Sequence, residues 1–274
     1  MREHLVAGPD FRLADIDPDT TPGFDGGRGQ GDKRLARGAD QLAQLQELLF
    51  ANAKLGDPRR LLLVLQAMDT AGKGGIVRHV VGSVDPLGVD IAAFKAPTEE
   101  ERSHDFLWRI RRRLPKAGEI GVFDRSHYED VLIHRVRALS PADEIERRYG
   151  QIAEFERELV AGGTRIVKVM LHISPEEQKA RLTERLDRPD KHWKFSPGDI
   201  DERLLWPAYM EAYEIAIQRT STDQAPWYVV PANKKWYARL AVQELLLETL
   251  RELGLDWPAA DFDVAEQRAR LAVS

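Results

Sequence analysis

Two short stretches of this chain hold residues of the type and spacing that handle phosphate. The first follows an apolar run, RLLLVLQ over 60–66, and reads Ala67-Met68-Asp69-Thr70-Ala71-Gly72-Lys73-Gly74-Gly75. Gly72 and Lys73 match the end of the phosphate-loop pattern G-x-x-x-x-G-K-[ST]. In that pattern backbone amides cradle phosphate oxygens and the lysine meets the transferred group. Ala71, Gly72 and Gly74 are therefore expected to bind phosphate and Lys73 to act in catalysis. Two positions depart from the pattern. Ala67 replaces the first glycine, and Gly74 replaces the hydroxyl residue that usually binds magnesium. Asp69 is the oxygen that can stand in, because a carboxylate among phosphates needs a divalent cation between them.

The second stretch closes another apolar run, EIGVFD over 119–124, and continues Arg125-Ser126-His127-Tyr128-Glu129-Asp130. An aspartate ending a strand beside a phosphate loop commonly holds magnesium, which suits Asp124. Arg125 can meet a phosphate with two donors at once. Glu129 and Asp130 admit two readings: part of a metal shell, or acids opening a helix. No Ser-His-Asp arrangement is legible, and the seven histidines show no metal-ligand spacing.

Basic residues gather twice more. Arg181 and Arg185 are four apart on one helical face, and Lys191 and Lys194 follow. On a closing lid they would hold phosphates and exclude water. Arg109, Arg111, Arg112, Arg113 and Lys116 form the other group, either a polyphosphate track or an exposed helix face. Phe94, Lys95 and Ala96 follow a strand on the loop's edge of the sheet. Phe94 there either flanks a nucleobase or packs in the core.

These residues need a frame to hold them. Apolar spacing predicts a helix over 33–54 and strands over 60–66, 89–94, 119–124, 165–173 and 226–230. Thr98 with Glu101 reads as a capping box, and Ser140-Pro141, Ser174-Pro175 and Asn233 as further helix starts. Strands alternating with helices imply an α/β fold with a mostly parallel five-stranded sheet. Residues 1–32, rich in Gly, Asp and Pro, read as an irregular arm on the surface or reaching a partner. Residues 33–274 read as one domain, with a helical lid at about 183–220 where no strand is legible.

Composition narrows the function. A chain of 274 residues with 43% hydrophobic content can bury a large core unaided. The absence of cysteine excludes disulfides, thiolate metal sites and a cysteine nucleophile, and suits a cytoplasmic setting. The opening residues do not read as a signal peptide, and no stretch nears the ~20 apolar residues of a membrane span. A net charge of −5 argues against general affinity for nucleic acid. Dense basic segments in an acidic chain point instead to a specific polyanion.

Taken together, LLLVLQAMDTAGKGG from 61, FKAPTEEERSHDFLWRI from 94, GEIGVFDRSHYEDVLIHRV from 118 and DRPDKHWKFSPGDIDERLLWPAYMEAYE from 187 resemble the polyphosphate kinase 2 family. The resemblance covers nearly the whole chain. It implies a thymidylate-kinase-like core, magnesium (or manganese) dependence, an arginine-bearing lid and assembly into dimers or tetramers. The implied reaction moves a phosphoryl group between inorganic polyphosphate and AMP, ADP or ATP, with guanine nucleotides also within scope. By position Asp69, Lys73, Asp124 and Arg125 match the catalytic centre, and Arg181 and Arg185 the lid. The wording HYEDVL is closer to the single-domain branch that accepts mono- and diphosphates. Some relatives of that branch carry Asn where this chain has Asp124, which leaves the acceptor preference open. Two rivals share these residues: an ATP-dependent nucleoside monophosphate kinase, and a non-catalytic nucleotide or polyphosphate sensor.

Overall fold

A computed structural model describes residues 1–274. The elements run α1 (Arg28–Lys54), β1 (Arg60–Gln66), α2 (Lys73–His79), β2 (Val89–Ala93), α3 (Glu99–Arg102), α4 (Trp108–Arg111) and β3 (Ile120–Asp124). They continue α5 (Ile133–Val136), α6 (Ala142–Ala161), β4 (Thr164–His172), α7 (Pro175–Asp187), α8 (Gly198–Leu204), α9 (Trp206–Thr220), β5 (Trp227–Pro231), α10 (Lys235–Arg251) and α11 (Val264–Ala272). The five strands form one sheet in the order β2-β3-β1-β4-β5, and every neighbouring pair is parallel. Parallel strands need crossovers, so helices cover both faces and strands are apolar throughout. β1 shows why its pattern does not alternate. Leu61, Leu63 and Leu65 enter a core with α1, α2 and α10, while Leu62 and Val64 enter a second core with α6 and α9.

The arm is irregular, with only two 3₁₀ turns before α1. It lies along the β5 edge of the sheet. Ala7 N–H donates to Trp227 O at 2.8 Å and Val229 N–H to Leu5 O at 2.8 Å, with a Val6–Tyr228 antiparallel bridge. Leu5, Ala7, Phe11 and Leu13 are buried. An open edge strand has unpaired backbone groups, and the arm satisfies those of β5. The first helix also begins five residues early, at Arg28. Its glycines are tolerated because α10 packs close: a Cβ at Gly38 would lie 2.2 Å from Gln243 Oε1.

Four expected helix starts separate by mechanism. Thr98 and Glu101 form the expected capping box, at 2.8 and 3.2 Å. Ser174 Oγ caps α7 by accepting from Glu177 N–H at 3.1 Å. Ser140 and Asn233 do not cap. Ser140 Oγ meets His134 Nδ1, and Asn233 Oδ1 accepts from Ser174 N–H, tying the β5–α10 turn to the start of α7. The stretch expected as a lid, about 183–220, is not uniform. α9 buries Tyr209, Ala212, Tyr213, Ala216 and Ile217 in the second core, so only about 187–205 stands outside the body. No helix is long and apolar enough to cross a membrane.

Candidate active site

The carboxyl ends of β1 and β3 sit side by side, with Leu65 in register with Asp124. Ligands of open α/β sheets bind beyond such ends. The loop from Ala67 to Gly72 turns through two left-handed residues, Thr70 at φ 68° and Gly72 at φ 121°. A β-branched residue there is a true outlier, and strain of this kind gathers where geometry serves a ligand. Lys73 Nζ donates to Ala67 O at 2.9 Å, so the residue standing in for the first glycine anchors the lysine through its carbonyl. Burial lowers the Lys73 pKa, against the upward pull of Asp69 and Asp124.

Arg125 also adopts a left-handed backbone, at φ 64°. Its N–H donates to Leu65 O at 3.0 Å, which closes the ladder, and the side chain crosses to the loop. Arg125 Nη2 donates to Asp69 Oδ1 at 2.9 Å. Burial opposes the Arg125 charge, yet Glu129 and Asp69 outweigh it and raise its pKa. Beneath it Ser126 Oγ, fully buried, accepts from Gln66 Nε2 at 3.1 Å. The next two acids part company. Burial raises the Glu129 pKa, and Arg125 and Lys73 partly restrain it, so Glu129 belongs to the charged centre. Asp130 turns away to Arg109 Nη2 at 3.3 Å and to His134 and Arg148. Sequence spacing could not separate them, because the 3₁₀ turn at His127–Asp130 sets which side each faces.

A cavity of about 690 Å³ opens over this centre. Its walls include Asp69, Ala71, Gly72, Lys73, Gly74, Asp124 and Arg125 from the sheet edge. Arg185, Lys191 and Lys194 close it from the lid side, with the exposed ring of Trp193 between the two lysines. Arg185 Nη1 donates to Lys194 O at 2.9 Å and pairs with Asp199 Oδ2 at 3.2 Å, so it also ties the lid together.

The structure places the remaining expected residues as follows. Arg181 is only 5% exposed and does not face the cavity as a lid ligand. Its guanidinium donates to the carbonyls of Thr70, Ala71, Ala232 and Asn233 at 2.7–3.0 Å, clamping the phosphate loop to the β5–α10 turn. Phe94 packs edge-on against Phe123 at 4.9 Å and is 7% exposed, yet it also lines the cavity, so it serves the core and borders the site. Lys95 lines the cavity, but Ala96 does not. Within the Arg109–Lys116 group Arg109 is buried against Asp130, Arg111 pairs with Glu158, Arg113 pairs with Asp90, and Arg112 lies over the Trp108 ring. None of them lines the cavity.

The chain that folds this site has relatives. The profile of polyphosphate kinase 2 matches residues 27–254. The chain belongs to the polyphosphate kinase 2 family. It is 49% identical over 260 residues to an AMP/ADP-polyphosphate phosphotransferase of Meiothermus ruber, covering 94% of this chain and 96% of the relative. An ADP-polyphosphate phosphotransferase of Rhodopseudomonas palustris is 44% identical, covering 80% of this chain and 78% of the relative. The crystal structure of polyphosphate kinase 2 from Arthrobacter aurescens superposes with a TM-score of 0.97 at 61% identity, covering 98% and 95% of the two chains. The family membership makes this chain a phosphotransferase, and favours neither the ATP-dependent kinase nor the sensor. A phosphotransferase of this kinase type implies a divalent metal. The donor set here fits one: Asp69 and Asp124 supply hard oxygen ligands at the cavity wall, and phosphates and water can supply the rest.

Proposed function

We propose that this polyphosphate kinase 2 transfers the terminal phosphoryl group of inorganic polyphosphate to a nucleoside mono- or diphosphate, forming ADP from AMP and ATP from ADP. The observation that carries the reading is the convergence of Asp69, Lys73, Asp124 and Arg125 on one cavity that a basic lid segment overhangs. A terminal phosphate oxygen of the nucleotide attacks the last phosphorus of the donor in line. One P–O anhydride bond breaks, another forms, and the donor leaves one unit shorter. The nucleophile is already ionised at neutral pH, so no strong base is needed. Charge neutralisation and positioning supply the catalysis. Lys73, Arg125 and Arg185 spread negative charge over the transferring group, and the loop amides around Ala71, Gly72 and Gly74 orient the phosphates. Lys191 and Lys194 complete the cationic roof. Magnesium, or manganese in its place, would be held by Asp69 and Asp124 and would neutralise donor and acceptor oxygens when bound. Asp69 must then loosen its ion pair with Arg125, freeing the guanidinium for phosphate. An anhydride is exchanged for an anhydride, so the reaction is close to thermoneutral and runs in either direction by mass action.

Incubating the protein with magnesium, polyphosphate and AMP or ADP, without ATP, tests this directly. ADP or ATP forming only with polyphosphate supports the reading and ranks the acceptors. Transfer that requires an ATP donor defeats it. Guanine nucleotides belong in the same assay, and sedimentation tests whether the protein is the dimer or tetramer we also propose.

A further inference from the structure

Asp69 serves a metal only if its loop presents it at one angle, and the loop that carries it is strained. Thr70 holds a left-handed backbone at φ 68°, and its hydroxyl is buried without a hydrogen-bond partner. A conformation of this kind persists where the surroundings impose it. Here one face of α7 does so. Gln178 and Arg181, three apart, take three successive carbonyls of the loop. Gln178 Nε2 donates to Asp69 O at 3.2 Å, and Arg181 Nη1 donates to Thr70 O and Ala71 O at 2.9 and 3.0 Å.

The two holds differ in kind. The Arg181 guanidinium carries only donors, so it meets carbonyls whichever way it turns. The Gln178 amide carries donors at one end and an acceptor at the other, and only the donor end suits Asp69 O. Arg203 decides between them. From α8, its Nη1 donates to Gln178 Oε1 at 3.1 Å and to Pro175 O at 2.5 Å. That fixes the Gln178 oxygen toward α8 and its nitrogen toward Asp69, and Gln178 is only 1% exposed, so no water can take the place of Arg203. The same helix reaches the roof of the cavity, where Asp199 pairs with Arg185 at 3.2 Å. α8 thus holds a roof cation by one residue and the Asp69 loop through another.

Resting on the reading of Asp69 as a metal ligand, we propose that Gln178 is a positioning residue, oriented by Arg203, that keeps the Asp69 peptide in its working conformation while α8 is seated. Neither residue lines the cavity, so both act through Asp69 and not on a substrate. The relay makes the rate of transfer depend on the seating of α8 and leaves the affinity for either substrate alone.

The experiment measures steady-state transfer at saturating magnesium, and hydrogen exchange of the loop amides around Asp69 without substrate. Gln178→Leu should lower kcat by about tenfold or more, toward the ~100-fold that a misplacement of about 1 Å can cost. KM for ADP and for polyphosphate should stay close to wild type, which separates positioning from binding. Gln178→Glu has the size of the native residue and keeps the Arg203 contact, but it turns an acceptor to Asp69 O, so it should lose at least as much. Arg203→Met leaves the amide free to turn and should lose less than Gln178→Leu, and Arg203→Lys should regain most of that loss. The double variant Gln178→Leu/Arg203→Met should be no slower than Gln178→Leu alone, because the two residues act in series. Every slowed variant should exchange its loop amides faster than wild type. Near-normal kcat in Gln178→Glu, losses that multiply in the double variant, or slowed variants with unchanged loop exchange overturn the relay. If Gln178→Leu fails to fold, Gln178→Glu and the Arg203 pair of variants decide. A folded Asp69→Asn with normal turnover would instead sink the metal reading on which the relay rests.

Discussion

Lys73, at the start of α2, is half-buried and Lys168 is wholly buried, and their surroundings are opposite. Lys168, in β4, is fully buried and uses all three ammonium donors: on Glu156 Oε2 at 2.6 Å, Thr220 O at 2.7 Å and Tyr128 Oη at 3.1 Å. Tyr128 in turn donates to Glu156 Oε1 at 2.8 Å, and His127 Nε2 lies 3.3 Å from the same oxygen. Lys73 makes one hydrogen bond, to Ala67 O, beside an open cavity. Burial lowers the pKa of each, and carboxylates oppose it in each. The difference lies in satisfaction. Lys168 is finished within the protein, whereas Lys73 keeps donors for something else. A buried charge marks function when its partners are incomplete, and marks architecture when they are complete.

The sharpest way to break that comparison is to remove each lysine. Lys73→Ala should lower kcat by about 10³–10⁴, or ~4–5.5 kcal/mol of transition-state stabilisation, with little change in Tm. Asp69→Asn should do the same, since it removes a metal ligand and the Arg125 partner together. Near-normal turnover in either folded variant would contradict the assignment. Lys168→Met should act on stability instead, costing toward the low end of ~3–5 kcal/mol by stranding Glu156. Urea melts would show it, and turnover per folded molecule should stay close to wild type. Adding Glu156→Gln should recover much of the loss, because a matched neutral pair no longer buries an unpaired charge.

A third buried base takes another route, by shedding its proton. His172, at the end of β4, is 9% exposed, and burial lowers its pKa to about 4. Its unfolded value is near 6.5. Between those values the unfolded chain binds the proton and the folded one does not. Stability is therefore full above about pH 6.5 and falls as pH drops toward 4, by about 3 kcal/mol in all. Denaturant melts at pH 7.5 and 4.5 should show His172→Gln narrowing the gap by about that amount. An unchanged gap would show that His172 is protonated in the fold.

Much of the frame was legible because it obeys local rules. Strand runs such as RLLLVLQ are apolar on both faces only in a covered parallel sheet, and each observed strand lies within a residue of its expected span. The phosphate loop and Asp124-Arg125 were legible because their chemistry is concentrated in contiguous residues. What escaped depends on long-range packing. The arm's role on β5 needed the sheet edge to exist first, and Arg181 became a clamp only once the loop and the β5–α10 turn met around it. Glu129 differs from Asp130 by one residue, and only the turn decides which of them faces Lys73. The apolar residues of α9 gave no sign of whether they lay in a lid or in the core.

The weakest expected effect tests the same rule at the surface. In sequence the Arg109–Lys116 group is as dense as the basic run at 185–194, yet three of its five charges, Arg109, Arg111 and Arg113, are answered by carboxylates. Arg111 lies 3.3 Å from Glu158 and Arg113 3.2 Å from Asp90, with side chains about half exposed. Exposed pairs of this kind are worth about 0–1 kcal/mol and are screened by salt. Arg111→Ala/Arg113→Ala should therefore shift stability by less than ~1 kcal/mol per pair and leave KM for long-chain polyphosphate unchanged. A polyphosphate KM that rose here tenfold would mean that carboxylate pairing does not separate structural cations from binding ones. The contrast between Lys168 and Lys73 would then lose its generality, because the paired surface arginines would be yielding to the donor chain.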